Sequence, residues 1–89
     1  MVRMIVRHNV ADYAAWRKGY DEFDAVRRPM GVTDEAVFQS LEDQNDVTVF
    51  HDFDTADSAR AFISSDELRS AMQRAGVQGE PQVWLVTPG

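Results

Sequence analysis

The residues of this chain that are able to do chemistry are two histidines and a stripe of polar-tipped aromatics. His8 and His51 are the only side chains whose ordinary pKa lies near neutral pH. Tyr13, Trp16, Tyr20 and Phe23 recur at spacings of three, four and three, which puts all four on one side of a helix. Leucine would fill a core more simply. Tyrosine and tryptophan carry polar tips that need partners once buried. The stripe therefore reads either as ordinary core or as the lining of a pocket for a flat aromatic molecule, with Tyr13, Trp16 and Tyr20 as the candidate binding residues.

His51 is the candidate catalytic residue. It lies within a strand beside Asp52, but successive strand residues face opposite sides, so Asp52 cannot be its direct partner. A buried imidazole titrating near neutrality suits a general base for enolisation or for deprotonating a phenol. The competing reading is a histidine hydrogen-bonded inside a core or an interface. His8, at a strand end next to a helix cap, reads as structural. Holding one metal between the two fails on distance: antiparallel neighbours in centred register would set them about 15 Å apart at ~3.3 Å per residue. A metal needs both within about 2 Å. No metal and no cofactor is expected. Cysteine is absent, which excludes disulfides, thiolate nucleophiles and zinc–thiolate sites. No Ser–His–Asp ordering or phosphate loop stands out.

The elements that must position these residues follow from periodicity. Val2, Met4 and Val6 alternate with Arg3, Ile5 and Arg7 in a first strand over Val2 to His8. Asn9 has the character of a helix N-cap, with Asp12 in a capping-box place. Gly19 sits oddly inside the helix, where it costs about 1 kcal/mol relative to alanine. Either a neighbour packs closely there or room is left for something else. Pro29 ends the helix and Gly31 lets the chain turn. Val32 to Leu41 and Val47 to Phe53 read as a hairpin across the polar Glu42–Asp46 turn. Thr55 or Asp54 caps a second helix that carries Ala59, Phe62 and Ile63 inward. Ser64-Ser65-Asp66 breaks it, and Leu68, Met72 and Ala75 continue it to a left-handed Gly76. Pro81 precedes a last strand, Gln82 to Thr87.

The order strand, helix, strand, strand, helix, strand is the ferredoxin-like α+β arrangement, with an antiparallel sheet in spatial order four, one, three, two and helices on one face. The 89 residues make one domain, 1–89, whose core is thin at this size. Ile5, Phe50, Trp84 and Val86 fall on the side that the helices do not reach. A bare apolar patch of this kind marks an interface, so a homodimer through the sheet faces is expected. Arg3 and Arg7 fall on the same face and are placed to pair with Asp52 or with acids across the interface. A net charge of −6 without a basic stripe argues against nucleic acid or a membrane surface as partner. Arg27-Arg28, with Asp24 three and four residues before them, reads as solvated helix-face charge, as do Asp21-Glu22 and Asp24. No run approaches the roughly 18 apolar residues of a membrane span, no signal peptide opens the chain, and a cytoplasmic protein is the default.

Asp12-Tyr13-Ala14-Ala15-Trp16-Arg17 with Phe23-Asp24, Phe50-His51-Asp52-Phe53-Asp54 through Ala59-Arg60-Ala61-Phe62, and Met72-Gln73-Arg74-Ala75-Gly76-Val77 with Pro81 carry a family likeness. Over nearly its whole length the chain resembles the dimeric α/β-barrel superfamily of antibiotic-biosynthesis monooxygenases, small aromatic-polyketide cyclases and related proteins, most of all a cyclase-like subgroup. The resemblance implies paired sheets and a pocket between sheet and helices. In the cofactor-free monooxygenases that pocket holds Asn, Trp, Arg and Tyr around a phenolic substrate. Heme-degrading relatives use a histidine on the second helix, and Ala56 to Ala75 here contains none. Two functions are carried forward: a cofactor-independent cyclase or monooxygenase acting on an aromatic or polyketide-like molecule, and a non-catalytic dimeric binding or accessory protein.

Overall fold

Alternation in the first strand, β1 (Val2–Val10), sends Met4, Val6, His8 and Val10 to one face, where all four are buried. The third strand, β3 (Asp46–Phe53), does the same with Val47, Val49, His51 and Phe53. Against this face lie Trp16 from α1 (Tyr13–Glu22), Phe62 and Ala59 from α3 (Ala56–Ile63) and Leu68 from α4 (Asp66–Arg74). A short α2 (Asp24–Arg27), the edge strand β2 (Asp34–Gln39) and the long β4 (Val77–Val86) complete the chain. This computed structural model describes all residues, Met1–Gly89. The sheet runs β2-β3-β1-β4 with antiparallel pairing throughout, the expected four, one, three, two order read from the other edge. No helix is long and apolar enough to cross a membrane.

Side chains close the helix starts as the sequence suggests, with one correction. Thr55 accepts from the Ser58 backbone N–H, and Ser65 accepts from that of Leu68. The first helix is capped by Asp12, which accepts from Ala15, and not by Asn9. Asn9 instead continues β1, opposite Asp46 on one side and Gln78 on the other. Pairing on both flanks holds it extended, so the next capping residue three places on starts the helix.

Three further boundaries move. The first helix breaks at Phe23, whose N–H reaches back to the Gly19 and Tyr20 carbonyls, before α2 resumes. The second strand is shorter than Val32–Leu41, and Val32 is buried with its N–H on the Arg27 carbonyl. The last strand starts at Val77, not Gln82. Its pairing with β1 slips between Arg7 and Asn9, and the extra residues around Gly79 (φ 68°) and Pro81 bulge out where a proline can be tolerated. Gly76 is left-handed (φ 82°), as expected of a helix terminator.

The opposite face carries an uncovered apolar row between charged pairs. Phe50, Ile5 and Trp84 form one row across β3, β1 and β4, with Phe38 against Phe50 at 5.2 Å between ring centres. Trp84 is 47% exposed and Phe38 52%. Arg3 lies on this face as anticipated and pairs with its cross-strand neighbour Asp52 through two bonds of 2.8 and 2.9 Å. Arg7 holds Asp46 in the same two-pronged way, at 3.0 and 2.6 Å. Both arginines keep their carboxylates well below the usual range.

Candidate functional site

Between the helices and the sheet lies a cavity of about 50 Å³ that opens to solvent. A water needs roughly 10–15 Å³ and a benzene-sized ligand about 150 Å³ of such space. An aromatic ring would fit only partly in the mouth, or by shifting one of the flexible methionines Met4 and Met72 in the wall. Trp16, Tyr20, His8 and His51 all line it. Gly19 lines it too, and a Cβ there would lie 3.4 Å from that of Ala75, in ordinary contact.

The helical stripe becomes an aromatic row. Trp16 stacks on Tyr20 with ring centres 4.9 Å apart, Tyr20 stacks on His51 at 5.9 Å, and His8 meets Trp16 edge-on at 5.6 Å. Tyr13 joins the row against Trp16 at 5.8 Å, but lies outside the cavity wall. Of the four candidates, His51, Trp16 and Tyr20 thus come together in the cavity, and Tyr13 backs them.

The two histidines face the same cavity but sit four rungs apart, since His51 lies opposite Met4 and His8 opposite Val47. At ~3.4 Å per residue this separation is near that expected from sequence. No group of three or more metal-ligating side chains forms anywhere in the fold.

His51 is 4% exposed, and its Nε2 lies 3.2 Å from the Tyr20 hydroxyl. Its Nδ1 has no partner, and neither ring nitrogen of His8 has one. An unpaired buried polar group costs about 1–3 kcal/mol. All three belong to residues that line the cavity, and an ordered water or a ligand is what satisfies such groups. Titration departs from the sequence expectation: burial, with help from the Arg27 and Arg28 charges, pushes His51 down to about 4 rather than leaving it near neutrality. Burial also lowers His8 and raises the Tyr20 hydroxyl.

Sequence reasoning missed two residues. Arg27, expected to be solvated, is 2% exposed and lies over the Tyr20 ring at 3.9 Å. Its Nε is 2.8 Å from Glu35, which also accepts from the Tyr20 hydroxyl at 3.1 Å and pairs with Arg28. The break at Phe23 turns α2 so that Arg27 points inward while Arg28 stays near the surface. Glu35 sits directly across β2–β3 from His51. An acid on the inward parity of a strand was its one sequence signal.

No protein-family model matches the chain, and no curated protein matches it in sequence. Solved structures do match in fold. A Bordetella bronchiseptica protein designated an antibiotic biosynthesis monooxygenase superposes with a TM-score of 0.84 at 18% identity, over 99% of this chain and 96% of its own. SnoaB, a cofactor-independent oxygenase from Streptomyces nogalater, gives 0.81 at 13% identity, over 99% and 92%. Rv0793 from Mycobacterium tuberculosis gives 0.73 at 15%, over 98% and 93%. The chain has the ferredoxin-like fold of the antibiotic biosynthesis monooxygenases, the architecture that its sequence resemblance implied.

Proposed function

We propose that this protein binds a flat, hydroxylated aromatic molecule against Trp16 and Tyr20 and acts on it without a cofactor, as a small monooxygenase or cyclase. The observation that carries this reading is a mostly apolar, aromatic-walled cavity lined by His51, whose buried Nδ1 has no partner in the protein. SnoaB, a structural neighbour, is a cofactor-independent oxygenase, which supports the reaction class. His51 takes the hydroxyl proton and leaves an electron-rich ring. A carbon of that ring attacks dioxygen to form a hydroperoxide that loses water and leaves a quinone carbonyl, the substrate itself supplying the electrons. In the cyclase case the same carbon attacks a carbonyl of the same molecule, whose oxygen takes up the proton from His51. Proximity and orientation supply the rest for a cyclisation.

A second reading has its own support. With His51 at about 4 and a phenol near 10, full proton transfer is uphill by roughly six units, or about 8 kcal/mol. Such an imidazole accepts a hydrogen bond well and a proton poorly, which favours a binding protein. Titration with 2-naphthol, followed by thermal shift and by oxygen uptake, separates the two. His51→Leu is expected to weaken binding about tenfold, the worth of one hydrogen bond. Oxygen consumption that depends on His51 supports the enzyme, and tight binding without turnover supports the second reading. Unchanged binding in His51→Leu would sink both.

We also propose that two copies pair through the Phe50–Ile5–Trp84 face, because an apolar row exposed to this degree requires cover. Sedimentation of the wild type should give a dimer at micromolar concentration. Trp84→Asp, which puts a charge in that row, should give a folded monomer. A wild-type monomer would remove the pairing.

A further inference from the structure

We infer that Glu35, acting through Tyr20, holds His51 in the tautomer protonated on Nε2, so that its bare Nδ1 lone pair, shielded in the resting wall of the cavity, is left for ligands that donate a hydrogen bond once that wall shifts. Phenols and enols are taken; ketones, quinones and ethers are not. The ligand half of this inference rests on the reading of the cavity as a ligand site, and the tautomer half does not.

The argument is one of counting protons. Glu35 lies between the guanidinium groups of Arg27 and Arg28, at 2.8 Å from the first. An ionised carboxylate so placed only accepts. The Tyr20 hydroxyl is 3.1 Å from Glu35 Oε2 and 3.2 Å from His51 Nε2, and it has one proton for two neighbours. Glu35 has no proton to give, so Tyr20 must donate to it and turn a lone pair toward the imidazole. That contact is a hydrogen bond only if Nε2 carries hydrogen. A neutral imidazole carries one, and burial keeps His51 neutral at pH 7. Nδ1 is then an acceptor, buried and without a partner, on a ring that lines the cavity. Arg27, packed on the Tyr20 face at 3.9 Å, holds that ring in position. Glu35 is thus a positioning residue: it does not line the cavity, yet it decides which hydrogen-bonding character the cavity shows.

Nitrogen-15 NMR of the imidazoles in the ligand-free protein at pH 7 reads the tautomer directly. The wild type should show His51 in a single form, with Nε2 protonated and Nδ1 of the pyridine type. In Glu35→Ala the Tyr20 proton is released to swing onto Nε2, and the population should move toward Nδ1–H. Glu35→Gln, whose amide oxygen still accepts, should keep the wild-type form, and Tyr20→Phe should give a mixture. A wild type protonated on Nδ1, or a tautomer unmoved in both Glu35→Ala and Tyr20→Phe, overturns the inference. Should Glu35→Ala fail to fold, the wild type and Tyr20→Phe decide. The ligand half is read with phenol and toluene, which differ by a hydroxyl in place of a methyl group. Phenol should bind at least about tenfold more tightly and shift Nδ1. Equal affinity overturns the selection rule. Binding of neither probe, with the tautomer as inferred, overturns the ligand site and leaves the role of Glu35 standing.

Discussion

Lowering the pH from 7 to 4 is expected to remove about 3 kcal/mol of folding stability, and His51→Leu should abolish most of that slope. The unfolded imidazole takes its proton near 6.5, whereas the buried one resists until about 4. Between those values the unfolded chain binds more protons than the folded one, so acid favours unfolding. The stability is fully present above 6.5, is lost as pH falls through the window, and changes no further once both states are protonated. About 2.5 units at 1.36 kcal/mol each gives the figure. His8, also lowered by burial, adds in the same direction. Asp52 and Asp46, held down by Arg3 and Arg7, add their own loss only below the carboxylate range. Urea denaturation at intervals from pH 7 to 4 measures the slope. A flat profile in the wild type would show that His51 is reached by water.

Arg27→Met is expected to lower stability by about 3 kcal/mol, although the new side chain fills much of the same space. The guanidinium is almost wholly buried, paired with Glu35 and Asp24, bonded to the Tyr20 carbonyl and stacked on the Tyr20 ring. Removing one partner of a buried pair costs about 3–5 kcal/mol because the other is left uncompensated. Glu35 retains Arg28 and some solvent, which places the expectation at the low end. For a domain of this size the melting temperature should fall by about 10–25 °C. The double variant Arg27→Met/Glu35→Gln should recover part of the loss, since it leaves less charge stranded. A single variant within 1 kcal/mol of wild type would mean that the pair is not desolvated. Thermal and chemical denaturation of the three proteins settles it.

Much of the architecture was legible because each strand of the central pair carries its own parity. Val2, Met4 and Val6, then Val47, Val49 and Phe53, named the covered face, and the aromatic spacing named the helical side turned toward it. What failed were boundaries decided by distant partners. Asn9 and Asp12 are both able to cap a helix, and only pairing with Asp46 and Gln78 selects between them. Pro81 looked like the start of a strand because the bulge that accommodates it depends on the register with β1. At the site, Trp16, Tyr20 and His51 were readable as types and spacings. Arg27 and Glu35 were not. Their burial comes from the turn between α1 and α2 and from a pairing of strands that are separate in sequence. The near-neutral titration expected of His51 failed for the same reason, as both burial and the neighbouring arginines are tertiary facts.

The last strand pairs with β1 along one edge only, and neither of its faces is fully covered. Val83, Trp84, Leu85 and Val86 are each more than a third exposed, carry no charge and favour extended backbone. Pro81 on one flank and Pro88 on the other interrupt the run. A solitary copy would therefore carry an adhesive margin with an unpaired hydrogen-bonding edge, of the kind that seeds precipitation. A substitution that relieves this margin by adding charge, such as Leu85→Lys, should raise the concentration at which the preparation clouds.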